Sequence, residues 1–126
     1  MDERDRYKEG LKVRRAVLGE AHVERAQAAE NEFNFAFQDL ITRYAWGEIW
    51  SRTGLPRRAR SLITIAMLVA LNRDHELKMH IRGALQNGVT REELRETLLH
   101  AAIYCGMPAA NSAFHLAEEV FSETEE

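Results

Sequence analysis

Residues Arg73 to Gly88, "RDHELKMHIRGALQNG", place a carboxylate, Glu76, four positions ahead of an imidazole, His80. On a helix that spacing puts both groups on one face. At 100° per residue, Arg73, Glu76, His80 and Gly83 fall in one narrow stripe beside an apolar stripe of Leu77, Ile81 and Ala84. A stripe on such a border can line a pocket, with an imidazole to move a proton and a carboxylate to orient it. It can equally be a solvated helix face. Gly83 favours close approach of something to this stripe, a ligand or another helix, because an interior glycine costs the helix nearly 1 kcal/mol relative to alanine.

"HELKMH" resembles the zinc-protease pattern H-E-x-x-H, but His75 and His80 are five apart. Their side chains diverge by about 140° and cannot meet one metal. No second cluster of His, Cys and carboxylate supplies further ligands, so no metal is expected.

Arg57, Arg58 and Arg60 crowd the start of another helical segment, where the macrodipole is already positive. Free backbone N–H groups and a guanidinium fork together can receive a carboxylate. The alternative is that these side chains turn outward or pair with the many acids. Trp46 and Trp50 read as packing, Cys105 as a small buried hydrophobe, and His115 as a surface histidine near Glu118 and Glu119.

The elements that must hold these groups are helical. Apolar residues recur at helical spacing and no alternating hairpin is present, which gives an all-α fold of about six helices in one domain, residues 1–126. Asp2 and Gly19 bound a first helix, about Asp2 to Leu18. A short piece covers Val23 to Ala28, and a longer helix runs from Glu32 to about Trp46. There "FNFAF" puts apolar groups on two sides, to be covered by another subunit or within one core. Pro56 opens a helix from Arg57 to Asn72, whose "SLITIAMLVAL" is apolar nearly all round and so belongs mid-bundle. Asp74 to Gln86 follows, stopped by Asn87 and Gly88. Thr90 and Glu93 form a capping box for a helix to Tyr104, ended by Gly106, and Pro108 starts a last helix to about Glu119.

With 126 residues, 45% hydrophobic, the chain can bury a sufficient core alone. A net charge of −3 gives no general reason to bind nucleic acid or an anionic membrane. The segment "LQNGVTREELRETLLHAAI" resembles a DNA-reading helix-turn-helix, but Glu92, Glu93 and Glu96 would face phosphates. The charged start "MDERDRYKEG", an apolar run (Leu62 to Leu71) too short for a bilayer, and a lone cysteine suggest a soluble cytoplasmic protein.

The runs "RYKEGLKVRRAVLGEAHVERA", "FQDLITRYAWGEIWSRTGLPRRARSLITIAMLVALNRDHELKMHIRGALQNGVTREEL" and "YCGMPAANSAFHLAEE" cover nearly the whole chain. In that order they closely resemble the carboxymuconolactone decarboxylase family. The resemblance implies an alkyl hydroperoxidase D-like helical fold and ring-like homo-oligomers, often hexamers. It also implies a cofactor-free lyase of the protocatechuate branch of the β-ketoadipate pathway. Such an enzyme takes CO2 from 4-carboxymuconolactone, a lactone dicarboxylate, leaving β-ketoadipate enol-lactone. Peroxidase-type relatives carry C-x-x-C-x-x-x-H where this chain has Arg73, Glu76 and His80, so thiol redox chemistry is not implied. The reading assigns proton delivery or oxyanion binding to His80, its orientation to Glu76, and substrate carboxylate binding to Arg58 and Arg73. The alternatives are a related lactone or keto acid as substrate, or a non-enzymatic helical interaction module.

Overall fold

The computed structural model describes residues 2–124. Among them it forms seven α-helices, one π-helical segment and no strand, so the fold is all-α. The chain divides into two compact units, one ending at Arg57 and one beginning at Arg58.

The first unit holds α1 (Glu3–Leu18), α2 (Glu20–Ala28), α3 (Phe35–Leu40) and, continuing α3, a π-helical segment over Ile41–Ile49. Asp2 caps α1 by accepting from the Asp5 amide at 2.8 Å, and Gly19 ends it at φ +97°. The wider π winding is visible where the Trp50 amide donates to the Ala45 carbonyl, five residues back, at 2.9 Å. Two glycines bring α1 against this segment backbone to backbone. A Cβ on Gly10 would lie 1.9 Å from the Thr42 carbonyl oxygen, and one on Gly47 2.4 Å from that of Arg6. Ion pairs flank the contact, Arg43 to Glu3 at 2.7 Å and Arg6 to Glu48. Among the described residues Phe33, Phe35 and Phe37 stay exposed, the first of them at 96%.

The second unit contains α4 (Arg57–Ala70), α5 (Asp74–Gln86), α6 (Arg91–Cys105) and α7 (Met107–Thr124). Ile65, Val69, Leu77, Ile81, Leu94, Leu98 and Val120 are its largest buried apolar side chains. Helix α4 is less central than its composition suggests. Ile65 and Val69 are buried, but Ile63, Met67 and Leu71 form an exposed stripe, Met67 at 58%. The helix also stops two residues early, because Asn72 turns the chain at φ +56°, a left-handed position that asparagine tolerates. Helix α7 runs five residues past the expected end, to Thr124. No helix among the described residues is long and apolar enough to cross a membrane.

Candidate active site

Helix α5 has three faces with different occupants. Leu77, Ile81 and Ala84 point into the core of the second unit. Lys78 and Arg82, one turn apart, reach α7. Arg82 makes a bidentate pair with Glu123, both bonds 2.9 Å, and Lys78 lies 3.2 Å from Glu119. The third face carries Arg73, Glu76, His80 and Gly83, with Glu76 about 160° around the axis from Lys78. Since α7 is fastened on the opposite side, this stripe faces away from it.

The stripe is graded in depth. Arg73 and Glu76 at the N-terminal end are exposed, whereas His80 is only 8% exposed and Gly83 is buried. His80 is thus one of two buried polar side chains described in the second unit, the other being Ser61. Arg73 sits at the α4–α5 corner, where its amide donates to the Leu68 carbonyl at 3.0 Å and its carbonyl accepts from Leu77 at 2.8 Å. The backbone there is held and the guanidinium projects from a fixed point. The arrangement can present charge at the surface and an imidazole beneath it. His75, by contrast, is exposed, so the two histidines of "HELKMH" occupy different environments.

Arg58 has a different setting. From the first turn of α4 its Nε donates to Glu93 Oε2 at 2.8 Å, Nη2 donates to Glu93 Oε1, and Nη1 donates to the Gly88 carbonyl at 2.8 Å. The carboxylate that this arginine meets belongs to the chain itself. Glu93 is also the partner of Thr90 in the capping box: its amide donates to the Thr90 hydroxyl at 3.1 Å, and the Thr90 amide donates back to its carboxylate at 2.9 Å. The Arg58 hydrogen bonds, followed by that from the Thr90 amide, hold the Glu93 carboxyl at about 2, well below its ordinary value. One guanidinium therefore ties the start of α4 to the end of α5 and the start of α6.

Trp46 and Trp50 stack within the first unit, ring centroids 4.9 Å apart and planes at 30°, as packing residues. His115 is exposed on α7. Cys105 departs from expectation. Instead of being fully buried it is half-buried and lines an open cleft with Glu96, Thr97, His100 and Tyr104. The sequence contained a signal for that cleft, since Glu96 and His100 repeat the Glu76 and His80 spacing one helix later.

Comparison with known proteins adds the following. The model of the carboxymuconolactone decarboxylase family matches residues 36–119. The chain is 56% identical over 123 residues to 4-carboxymuconolactone decarboxylase of Acinetobacter baylyi, covering 98% of this chain and 92% of that protein. It is 43% identical over 117 residues to nitrosuccinic acid decarboxylase of Metarhizium robertsii, covering 93% and 82%. A 48-residue 4-carboxymuconolactone decarboxylase sequence from Pseudomonas putida is 56% identical over its full length and covers 38% of this chain.

Proposed function

The chain belongs to the carboxymuconolactone decarboxylase family, and from that premise we propose that it is a carboxy-lyase converting 4-carboxymuconolactone to β-ketoadipate enol-lactone and CO2. The observation that carries this reading is 56% identity to a protein of that activity across nearly the whole of both chains. The reaction serves the protocatechuate branch of the β-ketoadipate pathway, in the cytoplasm.

Loss of CO2 leaves an electron pair that needs a sink. This substrate carries its own. The bond from the γ carbon to the departing carboxylate breaks, and its pair flows through the ring double bond to the lactone carbonyl, giving a furan-like dienolate. A proton then adds at the α carbon, with no added cofactor. The protein's tasks are to anchor the acetate arm, stabilise the developing oxyanion and supply that proton.

His80 takes the proton delivery or the oxyanion hydrogen bond, with Glu76 orienting or recharging it. Supporting this are their shared face on α5 and the graded depth of that face, which puts the imidazole in a drier setting than the carboxylate. Arg73, exposed one turn before Glu76, anchors the acetate arm. It must grip that arm rather than the departing carboxylate, because stabilising the latter in the ground state slows its loss. Arg58 is the second cation and reaches a substrate only by exchanging Glu93 for the substrate's carboxylate.

A homo-oligomeric ring, a hexamer, accounts for the uncovered Phe33, Phe35 and Phe37. One observation favours a second substrate: the 43% identical relative is named for nitrosuccinic acid, an acid whose nitro group can also hold the released electron pair. The test is CO2 release from 4-carboxymuconolactone and from nitrosuccinate by purified protein without added cofactor. Turnover of the lactone alone is the expected result. Turnover of nitrosuccinate alone selects the second reading, and inertness toward both, or turnover only after metal is added, overturns the proposal.

A further inference from the structure

Helix α6 carries a second constellation, apart from the α5 stripe. Glu96, His100 and Tyr104 follow one another at four-residue spacing, and beside them Thr97, Ala101 and Cys105 do the same. Together with Ala66 of α4 these six residues line a cleft of about 520 Å³, a volume suited to a small molecule. Its floor is apolar, with Ala101 buried. The His100 and Tyr104 rings lie with centroids 5.0 Å apart and planes tilted by 31°, so they pack on one another along the cleft wall. The Thr97 hydroxyl donates its proton to the Glu93 carbonyl at 2.8 Å, leaving its lone pairs toward other donors.

No lysine or arginine is among the described lining residues, and the lining carries the Glu96 carboxylate. The nearest cation recorded on Glu96 is Arg95, at 3.8 Å, the outer limit of an ion pair, with both side chains largely exposed. The cleft thus combines a carboxylate, the electron-rich Tyr104 ring and an apolar floor, which together recognise a cation attached to an apolar body. They repel a dicarboxylate, so this cleft is not a second seat for the lactone. We propose that the α6 cleft binds a small aromatic or alkyl ammonium ion, its charge held between Glu96 and the Tyr104 ring.

Cys105 is the chain's single cysteine and lines the same cleft, so it reports occupancy there and nowhere else. The test labels the full-length protein with a thiol-reactive maleimide, in low salt, with and without benzyltrimethylammonium. Benzyl alcohol and benzoate serve as neutral and anionic comparators. The cation is expected to slow Cys105 labelling at least about fivefold at saturation, while the comparators leave it unchanged. Glu96→Gln and Tyr104→Leu should each weaken that protection about threefold, in line with the loss of one exposed ion pair and one exposed ring face. Both positions are exposed, and unchanged circular dichroism would verify that the variants fold. Absence of protection by the cation, equal protection by benzyl alcohol or benzoate, or full protection in Glu96→Gln would each overturn the proposal.

Discussion

Replacing Gly10 by alanine tests the packing of the first unit most directly. The new methyl carbon would lie 1.9 Å from the Thr42 carbonyl oxygen, 2.8 Å from the Thr42 carbonyl carbon and 3.1 Å from the Gly47 amide nitrogen. Ordinary contact begins near 3.4 Å, so α1 and the π-helical segment must separate by about 1.5 Å. No flexible side chain can give way instead, since all three atoms are backbone. Overpacking of this kind costs about 1–3 kcal/mol, and a contact this short belongs at the upper end. Alanine recovers nearly 1 kcal/mol of helix propensity, which leaves a net loss of about 2 kcal/mol. For a chain of this size that lowers Tm by about 8 °C. Thermal unfolding followed by circular dichroism measures it, with Gly54→Ala as the control. A Cβ at Gly54 meets nothing within 4 Å, and its effect should stay within about 0.5 kcal/mol. A Gly10→Ala protein melting within about 2 °C of the parent would refute the backbone-to-backbone contact.

At the candidate active site, His80→Ala is expected to lower kcat about 100-fold, and Glu76→Gln about tenfold, in CO2-release assays on folded protein. A kcat for His80→Ala within threefold of the parent would remove it from the mechanism. Arg73→Met should raise KM about tenfold or more with a smaller change in kcat, whereas Arg58→Lys should lower Tm and raise KM by less, because its fork must leave Glu93 before it can reach a substrate. An unchanged KM for Arg73→Met would reassign the anchor. The Glu93 carboxyl sits at about 2, below its ordinary 4.5, so the folded state favours its charged form. Its contribution to stability is full above about pH 4.5 and is lost as pH falls toward 2. Melting curves between about pH 5 and pH 2.5 should show Glu93→Gln less steeply acid-sensitive than the parent, with some slope left from Glu3 and Glu123, whose pKa values are also lowered. Equal slopes would mean that the Arg58 pair is not formed in solution.

Local chemistry was readable in the sequence, and distant chemistry was not. Asp2, Gly19, the Thr90 and Glu93 box, Gly88 and Gly106 marked helix ends correctly because a cap is decided by residues within one turn of it. The common face of Arg73, Glu76 and His80 was legible for the same reason. Its depth gradient was not, since how far His80 sinks depends on how α5 lies in the core of its unit. The π-helical segment escaped a reading at 3.6 residues per turn, because its winding shows no separate period in "ITRYAWGEI" and is accompanied by backbone contact at Gly10 and Gly47. Arg58 was identified as a carboxylate receptor, but the carboxylate it meets lies 35 residues away and no spacing rule links the two. The exposed stripe of Ile63, Met67 and Leu71 was hidden by a composition that is apolar all round.

The Arg58 clamp also bears on the order in which the second unit assembles. Helices α4, α5 and α6 can each form from neighbouring residues, but the clamp closes 35 residues of chain onto Glu93 and 30 onto the Gly88 carbonyl. It needs three helix ends in register before all of its bonds can form, and its groups remain partly exposed when they do. The expected outcome for Arg58→Lys is therefore a φ-value of about 0 in folding kinetics, with the clamp closing after the barrier. In that case Arg58→Lys speeds unfolding and leaves the folding rate nearly unchanged, which stopped-flow kinetics would measure. On that outcome the guanidinium is a latch on a structure that the apolar core builds first.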